Sequence, residues 1–594
     1  AGPRAAPVLM LVLGISCHYH DAAAALLRDG VVVAAAEEER FSRRKHDARF
    51  PRQAIEFCLR QAGAAPAEVD YAVFYEKPLL KFERILLTAL RTFPRSWRGF
   101  GEFALGWMEE KLWIRATIQE SLGIPADRVL FVDHHLSHAA SAFFCSPFDR
   151  AAVLTVDGVG EWTTTALGSA SSPADGAASE LRLEREARFP HSLGLLYSAF
   201  TAFLGFEVNE GEYKVMGMAS YGTPRYEDRV RKLVRVEEDG SFALELRYFS
   251  FHHSAERAYS RAFVSLFGPP RDPREPFDVA GAGPAAERSR HYADVAASVQ
   301  RVVEDALLKA ARELRRSTGL TRLCMAGGVA LNGVANGRIV REGGFDEVWI
   351  QPAAGDSGGA LGAALYAWHV VLGQPRQYVM EHAYLGAEHS EGEAVDAMRA
   401  AGLRPEVVDD EEALVDRAAQ ALLDGEVIGW AQGRFEWGPR ALGNRSILAD
   451  PRRASMKEVV NARIKFREPF RPFAPAVLEE RAAELFDLRE PERQHPARFM
   501  LMVVPWLEGA AERAPAVDHV GTARLQTVRR EWNPRYRALI ERFDAASGVP
   551  VLLNTSFNLR GEPMVASPAD AVSTFMRSGL DLLVFGNVLA RKDR

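Results

Sequence analysis

The chain has 594 residues, with 73 Lys and Arg against 79 Asp and Glu for a formal net charge of −6, and 47% of its residues are hydrophobic. That length accommodates two large domains with sizeable cores, and the composition excludes global disorder. The mild acidity argues against broad nucleic-acid coating, which needs a basic face. Cys17, Cys58, Cys145 and Cys324 are far apart and form no C-x-x-C pair. They disfavour a disulfide scaffold or a cysteine zinc site, and fit a reducing cytoplasm.

Residues 8–16 (VLMLVLGIS) imitate a signal segment before Cys17. The run is short, preceded by a single charge at Arg4 and followed by more folded-looking sequence, so it reads as a buried first strand. No run approaches the roughly 18 apolar residues of a membrane helix. Strands at 22–28 and 31–36, joined by Asp29-Gly30, predict a hairpin. The pattern returns at 151–156 (AAVLTV), followed by the loop Asp157-Gly158-Val159-Gly160-Glu161 and the strand-like WTTTALGSA and LRLEREARF. Two such units predict an internal duplication and a two-lobed α/β body with a cleft between the lobes.

Residues 75–125, which include Trp97, Trp107 and Trp113, read as a helical insertion, and 172–178 and 268–285 as surface loops. A helix at 291–316 and a strand at 322–325 lead to a loop containing Gly327, Gly328 and Asn332; a strand at 347–351 leads to Ala354-Gly355-Asp356-Ser357-Gly358. Each loop could present backbone N–H groups to a phosphate at a helix start, or use its glycines only for tight packing. The pattern restarts after a boundary near 372–385, with a helix at 411–424 and a strand at 426–431. Between Arg434 and Arg471 there are ten basic and four acidic residues. They alternate with Trp437, Phe466, Phe470, Phe473 and prolines, which is unlike a merely solvated helix face.

His134 and His138 in DHHLSH are four residues apart, so on a helix they share one face with Cβ atoms about 5–6 Å apart. They could hold one divalent cation completed by Asp157 and Asp356, each on a loop after a strand. Two imidazoles with two carboxylates suit Fe²⁺ first, with Zn²⁺ or Mn²⁺ as alternatives. His20, followed by Asp21, is placed to open into the cleft as a proton acceptor for a hydroxyl or a donor to a developing oxyanion. Lys214 in NEGEYKVMG is either a point charge for a phosphate or part of a surface turn. Three C-terminal segments, GPRALGNRS (Arg440, Arg445), KFREPFRPF (Lys465, Arg471) and NTSFN (Ser556, Asn558), combine arginine forks with Ser and Asn groups. They read as a small-anion or nucleoside triphosphate site.

HDAAAALL, AEEERFSRRKH, HHLSHAASAFF, VDGVGE, KVMGMASYG, AGGVALN, GWAQGRFEWGPRALGNRS, RPFAPA, NPRY and LNTSFNLRGEP occur in this order. On these motifs the chain resembles the NodU/CmcH family of O-carbamoyltransferases, from residue 8 to the end. The resemblance implies an actin-like ATPase domain over 1–375, similar to the tRNA threonylcarbamoyl transferase, fused to a YrdC-like α/β domain over 380–594. It implies that the C-terminal domain forms carbamoyl-adenylate from carbamoyl phosphate and ATP, with Mg²⁺ accompanying ATP and pyrophosphate released. Lys465, Arg471, Arg524, Arg560, Ser556 and Asn558 match its anion-binding positions. The intermediate would pass internally to the N-terminal cleft, where a metal on His134, His138, Asp157 and Asp356 anchors its phosphate. There Gly327, Gly328 and Asn332 would hold the adenosine, and His20 would assist attack by a hydroxyl of a small-molecule natural product, releasing AMP. Neither nucleic acid nor membrane is expected as a partner, and the chain is expected to be a monomer or homodimer. The insertion is where such enzymes diverge, so it is expected to shape the acceptor pocket.

Four rivals are weaker. A tRNA-modifying transferase needs more phosphate-neutralising charge than −6 offers. The hydrogenase-maturation carbamoyltransferase carries paired cysteines that are missing here. A non-catalytic actin-like protein predicts loss of His20 or a metal ligand. A sugar kinase leaves the C-terminal arginines unexplained.

Overall fold

The first apolar run is a strand, β1 (Leu11–Ser16), buried at every position, as expected of a fold core rather than a leader. In the computed structural model, which describes residues 9–96, 100–101, 107, 111–173, 178–254 and 256–592, β1 pairs antiparallel with β2 (Ala23–Arg28), and β2 with β3 (Val31–Glu37). On its other edge β1 pairs parallel with β4 (Tyr71–Phe74), and β4 with β5 (Val129–Phe131). The second lobe repeats this arrangement. There β6 (Arg150–Val156), β7 (Thr163–Ser171) and β8 (Glu180–Arg188) form the antiparallel meander. After a small hairpin of β9 (Val234–Val236) and β10 (Phe242–Leu244), β11 (Arg322–Ala326) and β12 (Glu347–Ile350) extend the sheet in parallel. Both sheets therefore have the order third-second-first-fourth-fifth. The duplication expected from two hairpins extends to all five strands, giving a two-lobed actin-like arrangement.

The two helices that follow the last strand of each sheet, His134–Phe143 and Asp356–Tyr366, pack against one another between the lobes. Glycine makes this approach possible: a Cβ on Gly362 would lie 1.8 Å from the Ser137 carbonyl oxygen. Gly14 in β1 meets the Ala360 carbonyl equally closely. The Ala/Gly/Ser composition of both helices thus brings the ends carrying His134, His138 and Asp356 together.

The insertion is the crossover between β4 and β5, with helices Pro78–Thr92 and Ile114–Leu122. Of its tryptophans, Trp107 is buried, Trp113 is exposed, and Trp97 lies outside the described residues.

The C-terminal part is built on a mixed eight-stranded sheet. Its strands are β13 (Glu406–Val407), β14 (Ile428–Ala431), β15 (Arg445–Ala449), β16 (Ala474–Leu478), β19 (Gln526–Val528), β20 (Val551–Ser556), β21 (Leu582–Phe585) and β22 (Val588–Arg591), in the order 13-22-21-14-15-20-16-19. A separate hairpin pairs β17 (Val503–Pro505) with β18 (Thr522–Arg524). The sheet has its own apolar core. Phe435, Trp437, Phe470 and Leu501 instead join the N-terminal core, so the two parts are packed together through apolar contacts. No helix among the described residues is long and apolar enough to cross a membrane.

Candidate active site at the junction of the two domains

Asp133 precedes the helix His134–Phe143, and the i, i+4 spacing places two imidazoles on its buried side. His134 Nε2 and His138 Nε2 are 3.1 Å apart. Asp157, in the loop after β6, brings Oδ2 to 3.2 Å from His134 Nε2 and 3.9 Å from His138 Nε2. Asp356, the first residue of its helix, places Oδ1 at 3.6 and 3.7 Å from the same atoms. Ligands about 2.1 Å from a common ion are separated by about 3.0–3.4 Å in tetrahedral or cis-octahedral geometry; the four atoms, up to 3.9 Å apart in these pairs, need only a small contraction to hold a shared divalent cation. Asp356 Oδ1 is buried with no hydrogen-bond partner, an acceptor that a cation would satisfy. Asp157 is oriented by the Gly328 N–H, which donates to its Oδ1 at 2.8 Å, and Tyr75 Oη donates to Asp356 Oδ2 at 3.4 Å. His135 turns away, its Nδ1 2.7 Å from Thr155 Oγ1. Burial disfavours the Asp157 carboxylate, but His134 and His138 hold its pKa well below the usual range.

His20 lies on the loop after β1 and faces the same cavity. Its Nδ1 is 2.9 Å from Asp21 Oδ2. Burial alone would lower its pKa, yet the Asp356 and Asp21 carboxylates lift it to about 9.

The cavity has a volume of about 370 Å³ and runs between the domains. Its N-terminal side includes His20, Asp157, Gly328 and Asn332, and its C-terminal side includes Arg440, Arg471, Arg524, Ser556 and Asn558. Arg467, which the segment reading passed over, joins them. Its position was legible only as the fourth residue before Arg471 in a segment rich in proline. Tyr213 enters from the N-terminal domain, and the Arg471 guanidinium lies 4.7 Å from its ring centre. The cations are poorly compensated. Arg471 is 3.7 Å from Glu468, while Arg440 Nε and Arg524 Nε are buried without a partner. Burial, then the repulsion of Arg440, Arg467 and Arg471, drives the Arg524 pKa well below its ordinary value. Burial likewise brings Arg440 to about 10. Several half-buried guanidiniums converge on one cavity, a charge arrangement complementary to a polyanion.

Five expected site residues lie elsewhere. Arg445 is fully buried and spends its guanidinium on the carbonyls of Gln432, Gly433, Asn444 and Ala566, at 2.7–3.3 Å. It braces loops instead of facing the cavity. Lys465 is also buried behind the wall. Its Nζ donates to Asn558 Oδ1 at 2.7 Å and to the Ser556 carbonyl at 2.5 Å, so it holds the two residues that do face the cavity. Arg560 is 63% exposed and donates to the Phe466 carbonyl at 3.4 Å. Lys214 is 3.4 Å from Glu468, spanning the two domains. Gly327 has φ +97°, and a Cβ there would meet the Val156 carbonyl oxygen at 2.2 Å, so close backbone packing requires glycine. Asn332 lines the cavity and also caps the helix Gly333–Glu342 by accepting from the Ala335 N–H at 3.2 Å.

Residues 11–365 match the family model described as Carbamoyltransferase N-terminus, and residues 419–592 match Carbamoyltransferase C-terminus. An uncharacterized Synechocystis protein is 46% identical over 98% of this chain and 96% of its own. Nodulation protein NolNO of Sinorhizobium fredii is 39% identical over 96% of this chain and 79% of its own. The 3'-hydroxymethylcephem-O-carbamoyltransferase of Amycolatopsis lactamdurans is 37% identical over 45% of this chain and 48% of its own. With both halves of the chain matched, it belongs to the carbamoyltransferase family and is an enzyme that transfers carbamoyl groups.

Proposed function

We propose that the protein is an ATP-dependent O-carbamoyltransferase that makes carbamoyl-adenylate from carbamoyl phosphate and ATP and passes the carbamoyl group to a hydroxyl of a small-molecule natural product. The observation that carries this reading is the single cavity bounded by the arginine cluster on one side and by His20 and the Asp157 loop on the other. A labile mixed anhydride formed at one wall can reach the other without leaving the cavity.

In the first half-reaction Arg440, Arg467, Arg471 and Arg524 neutralise the phosphates of ATP and carbamoyl phosphate, and Ser556 and Asn558, fixed by Lys465, supply polar contacts. Balance requires that inorganic phosphate leave beside pyrophosphate and that one water be consumed. In the second half-reaction Gly328 and Asn332 line the space for the adenosine. His20 takes the proton of the attacking hydroxyl or donates to the developing oxyanion, the C–O bond of the carbamate ester forms, and the C–O bond to AMP breaks. A divalent cation held by His134, His138, Asp157 and Asp356 would supply positive charge to the adenylate phosphate. Fe²⁺, Zn²⁺ and Mn²⁺ all suit these ligands. Magnesium would enter with ATP.

A pair of variants tests this division of labour. His134→Ala is expected to abolish carbamoyl transfer while pyrophosphate release continues, and Arg471→Ala to lose pyrophosphate release itself. Equal loss of both steps in His134→Ala, or intact pyrophosphate release in Arg471→Ala, contradicts the assignment.

A further inference from the structure

The AEEERFSRRKH motif supplies two of its positively charged residues, Arg40 and Lys45, to the cavity wall, and neither has a role in the chemistry above. Yet the segment is buried at Glu37, Glu38 and Arg40, half-buried over most of the rest, and heavily bonded. Arg40 donates to the Gly438 carbonyl at 2.7 Å, and Glu37 accepts from the Gly438 N–H at 2.8 Å, two residues before Arg440. Arg43 donates to the carbonyls of Pro563 and Met564. The segment is therefore anchored to the C-terminal domain. Its last residue, His46, reaches back to the His20 loop.

His46 Nδ1 is 2.7 Å from Asp21 Oδ1, while His20 Nδ1 is 2.9 Å from Asp21 Oδ2. One carboxylate thus accepts from two imidazoles. The two loops are zipped by backbone bonds on either side of this carboxylate. The His18 N–H donates to the Ala48 carbonyl at 2.6 Å, and the Ala22 N–H to the Asp47 carbonyl at 2.8 Å. Glu39 fixes the far end by accepting from the His46 N–H at 2.9 Å. His18, Asp21 and His46 all have positive φ, at 71°, 51° and 54°. Non-glycine residues adopt this region at a cost, and they persist there when the surroundings impose it, often at functional sites. Asp21, Glu39 and His46 could be read as a cation cluster, since their ligand atoms lie within 4.8 Å of one another. Both Asp21 oxygens, however, are already taken by ring nitrogens.

We infer that Asp21 and His46 are positioning residues for carbamoyl transfer: His46 fixes Asp21, Asp21 fixes the His20 ring with Nδ1–H inward, and His20 Nε2 is thereby presented to the cavity. This rests on the reading of His20 as the group that assists the hydroxyl. An aspartate holding a histidine in one tautomer is a recurring device, and its amide replacement in a serine protease costs about 10⁴-fold in turnover.

The test measures AMP release by the full chain given ATP, carbamoyl phosphate and a divalent cation. It uses two nucleophiles: water, which must lose a proton, and hydroxylamine, which attacks as a neutral amine. Asp21→Asn is expected to lower the water-driven rate by about 100-fold or more, and His46→Ala by about 10-fold. The hydroxylamine-driven rate should stay within about twofold in both. His46→Asn keeps an N–H donor at the position of Nδ1 for Asp21 and should restore the water-driven rate to within about threefold of the parent. Equal losses with both nucleophiles would mark a merely structural role and overturn the inference. So would an unchanged water-driven rate in Asp21→Asn. His20→Ala separates the two levels. A loss there with no loss in the Asp21 and His46 variants removes the positioning pair alone, whereas no loss in His20→Ala removes the role of His20 and the inference with it.

Discussion

His134 Nε2 and His138 Nε2 face each other at 3.1 Å inside the protein, with Asp356 Oδ1 within 3.7 Å of both. Nitrogens this close, beside an unpartnered buried carboxylate oxygen, fit the donor set of a shared cation. His138→Ala removes one of four ligands and is expected to weaken binding of a divalent cation at least about 100-fold, a larger loss than outer-shell substitutions give. Competition with a fluorescent chelator measures this directly. In the parent protein, bound cation should also raise the melting temperature in a concentration-dependent way. Unchanged affinity in the variant would move the cation elsewhere.

His20 reports on the same site. Its pKa of about 9 is opposed by burial and sustained by Asp356, Asp21 and Asp157. A cation on Asp157 and Asp356 neutralises two of those carboxylates, so loading should lower the His20 pKa toward the ordinary 6.5 or so and free its proton-accepting form near neutral pH. Histidine side-chain NMR titrations with and without Zn²⁺, assigned with His20→Gln, measure the shift. A pKa that ignores the cation would separate His20 from the cluster.

Arg524 illustrates how binding and stability oppose one another. Burial and then Arg440, Arg467 and Arg471 disfavour its charge. Arg524→Gln should relieve that repulsion and raise the melting temperature by a few degrees, while weakening ATP or carbamoyl phosphate binding about 10- to 100-fold. Thermal melts and isothermal titration read the two effects separately. A variant that is less stable and binds normally would place Arg524 among structural residues.

Acid should loosen the molecule through two buried histidines. Burial brings His369 and His519 each to about 4. His519 donates through Nε2 to the Gly217 carbonyl at 3.0 Å and has a buried Nδ1 with no partner, so a second proton there would go unsatisfied. Unfolded histidine titrates near 6.5, so below that pH the unfolded chain binds more protons. Stability is present in full above about 6.5 and is lost as pH falls toward 4. Each histidine should cost about 2 kcal/mol between pH 7 and 5. Urea unfolding at the two pH values should show a smaller loss for His519→Gln than for the parent protein. An identical loss would exclude His519 as a source of the acid sensitivity.

Much of the fold was legible because its signals are periodic. The apolar runs, the Asp29-Gly30 turn and their recurrence after residue 150 give the duplicated lobes. The i, i+4 histidines need only a helix to converge. The C-terminal basic stretch was harder, because a sequence does not say which way a guanidinium turns. Arg440 and Arg471 line the cavity, while Arg445, in the same motif as Arg440, is consumed by backbone carbonyls. Lys465 is one shell further back than its charge implied. The link from His46 through Asp21 to His20 joins loops 25 residues apart between His46 and Asp21 and depends on left-handed backbone at both residues, which no local pattern announces.

Carbamoyl-adenylate is expected to form and to be held inside this chain. The most direct measurement is rapid acid quench of the cation-loaded protein mixed with ATP and ¹⁴C-carbamoyl phosphate, without an acceptor, followed by chromatography of the nucleotides. The expected result is a burst of pyrophosphate and radiolabelled carbamoyl-adenylate approaching one per chain, discharged to AMP when an acceptor hydroxyl is added. ATP left intact, or consumed at the same rate without carbamoyl phosphate, would contradict it.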